Sequence, residues 1–158
     1  MGSKAPQPPP PREENNPKTE HHRWVQSADL NTRDQLFGGR LLEWIDVDAS
    51  ATAALCLKQG TLLATVNVNI DFISPVDQGS LLTLIHEVVY VGKTSMGVKS
   101  TVYNHDVLVS TGYVTFVNVH GTSGRSRDIS SRVIAEIAQG EEWKKYEKFR
   151  PNIQQQTA

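Results

Sequence analysis

The sequence predicts an α+β domain in which one long helix lies against an antiparallel sheet. Three observations predict it. Between Gly39 and Lys58 there is no proline, and apolar residues recur at Leu42, Ile45, Ala49, Ala53 and Cys56, in helical steps of three and four. From Thr61 to His120 the chain reads as strand, with Val66, Val68, Ile70 and Phe72 alternating with polar residues. The breaks in that stretch are short turns, which join neighbouring strands in antiparallel order.

Residues 1–22 read as a tail. Six of the eight prolines lie there with almost nothing apolar beside them, so the segment cannot bury enough surface to offset its ordering entropy. Arg23–Gln26 reads as a short strand and Asp29–Gln35 as a loop. Gly38-Gly39 opens the helix, and Gly60 closes it as a C-cap glycine. The strand that follows ends at the turn Ser74–Gly79, which holds Pro75. A second strand runs Leu81–Val91 and a third Ser95–Tyr103, separated by Gly92-Lys93-Thr94. Asn104-His105-Asp106 is a hairpin turn by residue type, and Val107–Val119 is the last strand. Gly121–Arg127 is then a basic loop, and Ser130–Phe149 a helix interrupted at Gly140. The organisation is a Pro-rich tail (1–22), a folded domain (23–120), and a basic loop with a helical tail (121–158). The sheet must cover one face, and the cover available is Gly39–Lys58.

Composition removes several classes of function. A chain of 158 residues allows one ordinary domain. Sixteen Lys+Arg against 17 Asp+Glu give a net charge of −1, without the basic surplus of a nucleic-acid or membrane-surface binder. The single Cys leaves no intrachain disulfide framework and no multi-Cys zinc site. No apolar run approaches the ~20 residues of a membrane span, and the polar, Pro-rich start is unlike a secretory signal. The expectation is a soluble, cytoplasmic protein with no metal.

Chemistry concentrates in the first third. On a helical wheel Asp46 falls beside Leu42, Ala49, Ala53 and Leu57, at the margin of the apolar stripe, and Asp48 falls on the other side, nearer Trp44 and Leu55. A carboxylate among aliphatic neighbours is costly unless paired or hydrogen-bonded. Such groups are candidate acids, bases or nucleophiles; the plainer alternative is a structural aspartate bonded to a loop. Gly38 and Gly39 stand where a helix presents unpaired N–H groups and its positive dipole end, a plausible carbonyl or oxyanion site. Roughly 10 Å of helix axis separates Gly39 from Asp46.

These residues carry a family resemblance. Asn31, then Phe37-Gly38-Gly39, then Leu41-Leu42, Trp44, Ile45 and Asp46 resemble the signature of the hotdog-fold acyl-CoA thioesterases, more narrowly the cytosolic acyl-CoA hydrolase group. Phe72-Ile73-Ser74-Pro75-Val76-Asp77-Gln78-Gly79, Val91-Gly92-Lys93-Thr94-Ser95-Met96 and Gly112–Val119 resemble later stretches of the same family. The match spans roughly Trp24–His120. It implies a hotdog fold, one long helix wrapped by an antiparallel sheet, in dimers joined edge to edge or trimers of dimers with sites at the dimer interface. By resemblance Asp46 is the catalytic carboxylate, Asn31 orients water or thioester, and the Gly38 and Gly39 amides polarise the carbonyl. Coenzyme A enters only as part of substrate and product, with no separate cofactor required. Lys93, Thr94 and Ser95 match the family turn that would hold it, and Arg125 and Arg127 are placed to reach its phosphates. Three positions depart from the family pattern. Asp34 replaces a usual Gly, Gln35 stands where Thr or His is frequent, and Val47-Asp48 follows the carboxylate where an acidic residue is usual.

Two other functions fit the resemblance less well. Asp34 and the tails are compatible with a non-catalytic acyl-CoA-binding module. A dehydratase or hydratase of this fold needs a His where the loop offers Asn31. His21 and His22 read as the end of the tail, His86 as a strand residue and Cys56 as core. The sequence has no G-x-S-x-G elbow and no phosphate loop.

Overall fold

The computed structural model of the chain describes residues 15–57, 62–121 and 123–151. Its elements are β1 (Lys18–Trp24), α1 (Gly38–Leu57), β2 (Leu62–Phe72), β3 (Leu81–Val91), β4 (Ser95–Asn104), β5 (Val107–Val119), α2 (Ser131–Glu136) and α3 (Glu141–Phe149). The strands form one sheet in the order β1-β3-β4-β5-β2, every pair antiparallel. The expected α+β architecture is the observed one, and the last three strands fall where the turns placed them.

Helix α1 packs across the sheet on Leu41, Ile45, Ala49, Ala53 and Cys56. They meet the inward residues of the strands, among them Leu82, Leu84, Met96, Val98, Val114 and Phe116. Three of the five helix residues are small, so the helix sits close to the sheet. Ile45 is fully buried, and truncating it to Ala should cost about 2–5 kcal/mol. The reading of Gly60 as the C-cap falls outside the described residues.

Two expectations need correction and one is sharpened. Strand β1 begins at Lys18, inside the segment read as tail, so His21 and His22 are strand residues. The tail reading failed there because the inward face of β1 is Thr19, His21 and Arg23, a polar row that carries no apolar alternation. The interruption expected at Gly140 is observed as two separate helices, with Ser130 capping the first through the Arg132 amide and Gly140 at the start of the second. Finally, β2 is not a uniform alternation. Its pairing with β5 shifts register between Thr65 and Asn67, a bulge that bends the strand and re-aims its side chains.

The outer face of the sheet is covered at one end by α3. Tyr146 is fully buried there, its hydroxyl 2.6 Å from that of Thr115, and its ring packs near Tyr90, Tyr113 and Phe149. Gly97 makes room for it, since a Cβ at that position would lie 2.5 Å from the Tyr146 ring. The segment before β1 joins the same assembly through Asn16, whose side-chain oxygen accepts from the Ala138 amide at 3.0 Å.

Candidate active site

Asp46 lies on the flank of α1 that faces β2. Its Oδ1 accepts a 2.8 Å hydrogen bond from the Thr65 hydroxyl. Thr65 is a site residue the sequence reading missed. A strict period of two puts it on the face opposite Val68 and Ile70, and only the bulge brings Thr65 round to the helix side.

The start of α1 is built as expected. The Phe37 amide bonds to the carbonyl of Asp29 at 2.8 Å, and those of Arg40 and Leu41 bond to the Phe37 carbonyl at 3.0 and 3.2 Å. Between them Gly38 and Gly39 open the helix, and first-turn amides have no intrahelical acceptor. A Cβ on Gly39 would sit 2.6 Å from the Phe37 ring, so only glycine leaves that ring where it is. Gly38 borders a cleft of about 330 Å³ lined mainly by Leu36, Leu41, Phe72, Ile73, Val76 and Val109. The cleft is largely apolar and lies beside the first residue of the helix.

Asn31 is placed in the loop that leads to this helix end. Its Oδ1 accepts from the Arg33 and Gln35 amides at 2.8 and 3.2 Å, which braces the loop. No hydrogen bond joins Asn31 to Asp46 among the described residues. The departure at Asp34 now has a physical meaning. Asp34 has φ 57°, the left-handed region where glycine is strain-free and Asp is tolerated.

The structure brings the two proposed coenzyme-binding segments together. The Lys93 carbonyl accepts from the Ile129 amide at 2.6 Å, and the Thr94 carbonyl from the Asn118 amide at 2.8 Å. The Asn118 carbonyl in turn accepts from the Arg127 amide at 2.7 Å. Lys93, Arg125 and Arg127 are all exposed around this junction. Ser95 is buried, so its hydroxyl points away from solvent.

The wheel misjudged which carboxylate is buried. Asp46 is half-buried, whereas Asp48 is almost fully enclosed. Asp48 Oδ1 accepts from Arg23 Nη2 at 2.8 Å and faces His21 Nδ1 at 3.8 Å, while Oδ2 faces His86 Nε2 at 3.9 Å. Burial pushes the His86 imidazole down to about 4, a shift that Asp48 opposes and His21 reinforces. Among the described residues no group of three or more His, Cys, Asp or Glu is arranged to hold a metal ion. None of their helices is long and apolar enough to cross a membrane.

A long helix crossing a five-stranded antiparallel sheet, with glycine amides at its start and a carboxylate further along, defines a hotdog-type domain. The family model of the thioesterase superfamily matches residues 35–111 of the chain. The uncharacterized acyl-CoA thioester hydrolase YkhA of Bacillus subtilis (strain 168) is 34% identical over 99 residues, which cover 59% of this chain and 57% of that protein. An acyl-CoA hydrolase of Staphylococcus aureus, solved with butyryl coenzyme A and coenzyme A, superposes with a TM-score of 0.69 at 22% identity. That superposition covers 93% of this chain and 96% of the other. A hexameric thioesterase, y2039, of Yersinia pestis superposes with a TM-score of 0.64 at 20% identity, over 70% of this chain and 93% of the other. These two likenesses show the hotdog fold.

Proposed function

We propose that the protein hydrolyses acyl-CoA thioesters to a carboxylic acid and free coenzyme A, at a site completed by a second copy of the chain. The observation that carries the reading is the hydrogen bond from Thr65 of β2 to Asp46, on the helix whose first residue, Gly38, borders an apolar cleft. Asp46 takes the proton from a water that attacks the thioester carbon. The Gly38 and Gly39 amides hold the oxygen as it becomes an oxyanion. Collapse of the adduct expels the coenzyme A thiolate, which regains a proton. A thiolate is a competent leaving group, so one base and one oxyanion site suffice.

Geometry asks for the second copy. Asp46 is roughly 10 Å along the axis from Gly39, whereas a base must reach its water within hydrogen-bond distance beside the polarised carbonyl. Asp46 of one copy therefore works with the glycine amides and Asn31 of another. The edge that would join them is β2, which among the described residues pairs with β5 alone and leaves its other side open. Leu62, Val68, Phe72 and Ile73 are exposed along it. The Lys93–Arg127 junction supplies positive charge for the coenzyme phosphates. The Staphylococcus aureus hydrolase has also been solved with an asparagine, a threonine and an aspartate each changed to alanine. The same residue types are singled out here as Asn31, Thr65 and Asp46.

The test is release of free thiol from a chain-length series of acyl-CoAs, run beside Asp46→Asn. Wild-type turnover that falls about 10²–10⁴-fold in the variant supports the reading. Silence from both, with a raised melting temperature in acyl-CoA, replaces it with a non-catalytic binding module.

A further inference from the structure

We propose that Asp48 is a positioning residue for Asp46. Through Arg23 it fixes the rotation of α1 about its own axis, and with it the contact between Asp46 and Thr65. The proposal rests on reading Asp46 as the catalytic carboxylate.

The two aspartates stand about 200° apart around the helix. Asp46 is held from β2, one edge of the sheet. Asp48 is held from the opposite edge, by Arg23 of β1 at 2.8 Å, with His21 of β1 and His86 of β3 around it. Thr52, one turn on, strengthens the same side. Its hydroxyl donates to the Asp48 carbonyl at 2.9 Å and meets the Thr19 hydroxyl of β1 at 2.6 Å. Arg23 also lies over the Trp44 ring, at 5.8 Å from its centroid.

Apolar packing alone sets this rotation weakly. The buried stripe of α1 includes Ala49, Ala53 and Cys56, and small side chains make shallow ridges with little purchase on the grooves they meet. Directional polar contacts on both flanks supply what the stripe lacks. A roll of about 20° moves a side-chain tip at the helix radius by roughly 2 Å. That is enough to break the Thr65 contact, and a 1 Å misplacement of a reacting group can cost ~10²-fold in rate.

The test compares Asp48→Ala, Asp48→Asn and Arg23→Met with the wild type and Thr65→Val, each confirmed folded by urea titration. Asp48→Ala should lower kcat by about tenfold or more with KM changed less than about twofold. Asn, which still accepts from Arg23, should recover part of the loss, and Arg23→Met should reproduce it. Asp48→Ala with Thr65→Val should be no slower than the slower single variant, because both act through one contact. Independently of turnover, the ¹³Cγ resonance of the Asp46 carboxylate should move in Asp48→Ala as it does in Thr65→Val. A folded Asp48→Ala with unchanged kcat and an unmoved Asp46 resonance overturns the proposal, as do multiplicative losses in the double variant. If the wild type hydrolyses no acyl-CoA while the resonances remain coupled, the functional reading fails and the positioning of Asp46 by Asp48 stands.

Discussion

The Thr65 hydroxyl donates to the Asp46 carboxylate at 2.8 Å, bridging the open edge strand of the sheet and the long helix. A hydrogen bond to a charged group is worth about 1.5–3 kcal/mol. Thr65→Val keeps the shape and removes the donor. Its kcat for acyl-CoA hydrolysis should fall about 10- to 100-fold, while Thr65→Ser should stay within a few-fold of the wild type. Equal losses in Val and Ser would assign the effect to packing.

Asp34 offers a stability measurement. A left-handed residue with a side chain costs about 1–2 kcal/mol, of which glycine's greater freedom in the unfolded chain returns part. Asp34→Gly should therefore leave stability level or raise it by up to about 1 kcal/mol, and Asp34→Val should lower it by more than about 1 kcal/mol. Urea unfolding of the three proteins checks both. A clear loss in Asp34→Gly would mean the carboxylate has a stabilising role of its own.

His86 predicts an acid-side weakness. Its imidazole titrates at about 4 in the fold against 6.5 ordinarily, with burial as the main cause. Asp48 on α1 and His21 and Arg23 on β1 are the charged or titratable groups around it. Between those two values the unfolded chain holds a proton that the folded chain does not. Stability from this group is therefore complete above pH 6.5 and is lost as pH falls to about 4. The loss is on the order of 3 kcal/mol. Urea midpoints between pH 7 and 4 should drop in the wild type and drop less in His86→Leu.

The outer-face helix can be tested at Gly97. An added Cβ would strike the Tyr146 ring, which is buried and bonded to Thr115. Gly97→Ala should loosen α3, exposing its Lys residues to trypsin before the sheet is cut. Uniform protection in the variant would show that the ring shifts without undocking.

How much of this was legible depended on whether a residue's partner lay nearby in the pattern. The long helix and the Gly38-Gly39 pair at its start were readable because helical spacing and glycine punctuation are local, whereas Asp46 was marked out by the resemblance of its motif. β1 was not, since its inward row of Thr19, His21 and Arg23 meets polar groups of α1 and so lacks the alternation that marks a half-buried strand. The exchange of burial between Asp46 and Asp48 was unreadable for the same reason, as Arg23 lies 25 residues away in the chain. The stripes of the C-terminal helices were visible, but the surface that receives Tyr146 depends on Gly97, which sequence presents only as a strand glycine.

The bulge in β2 gives the chain slack in length at one point. Side chains before it and after it obey opposite parities, so removing Val66 would straighten the ladder and leave Thr65 on the helix side. The turn at Asn104–Asp106 can gain or lose a residue without changing which way any strand faces the helix. A deletion scan should therefore find β2 tolerant at this joint. There the strand would shorten by one residue while the aspartate kept its hydroxyl.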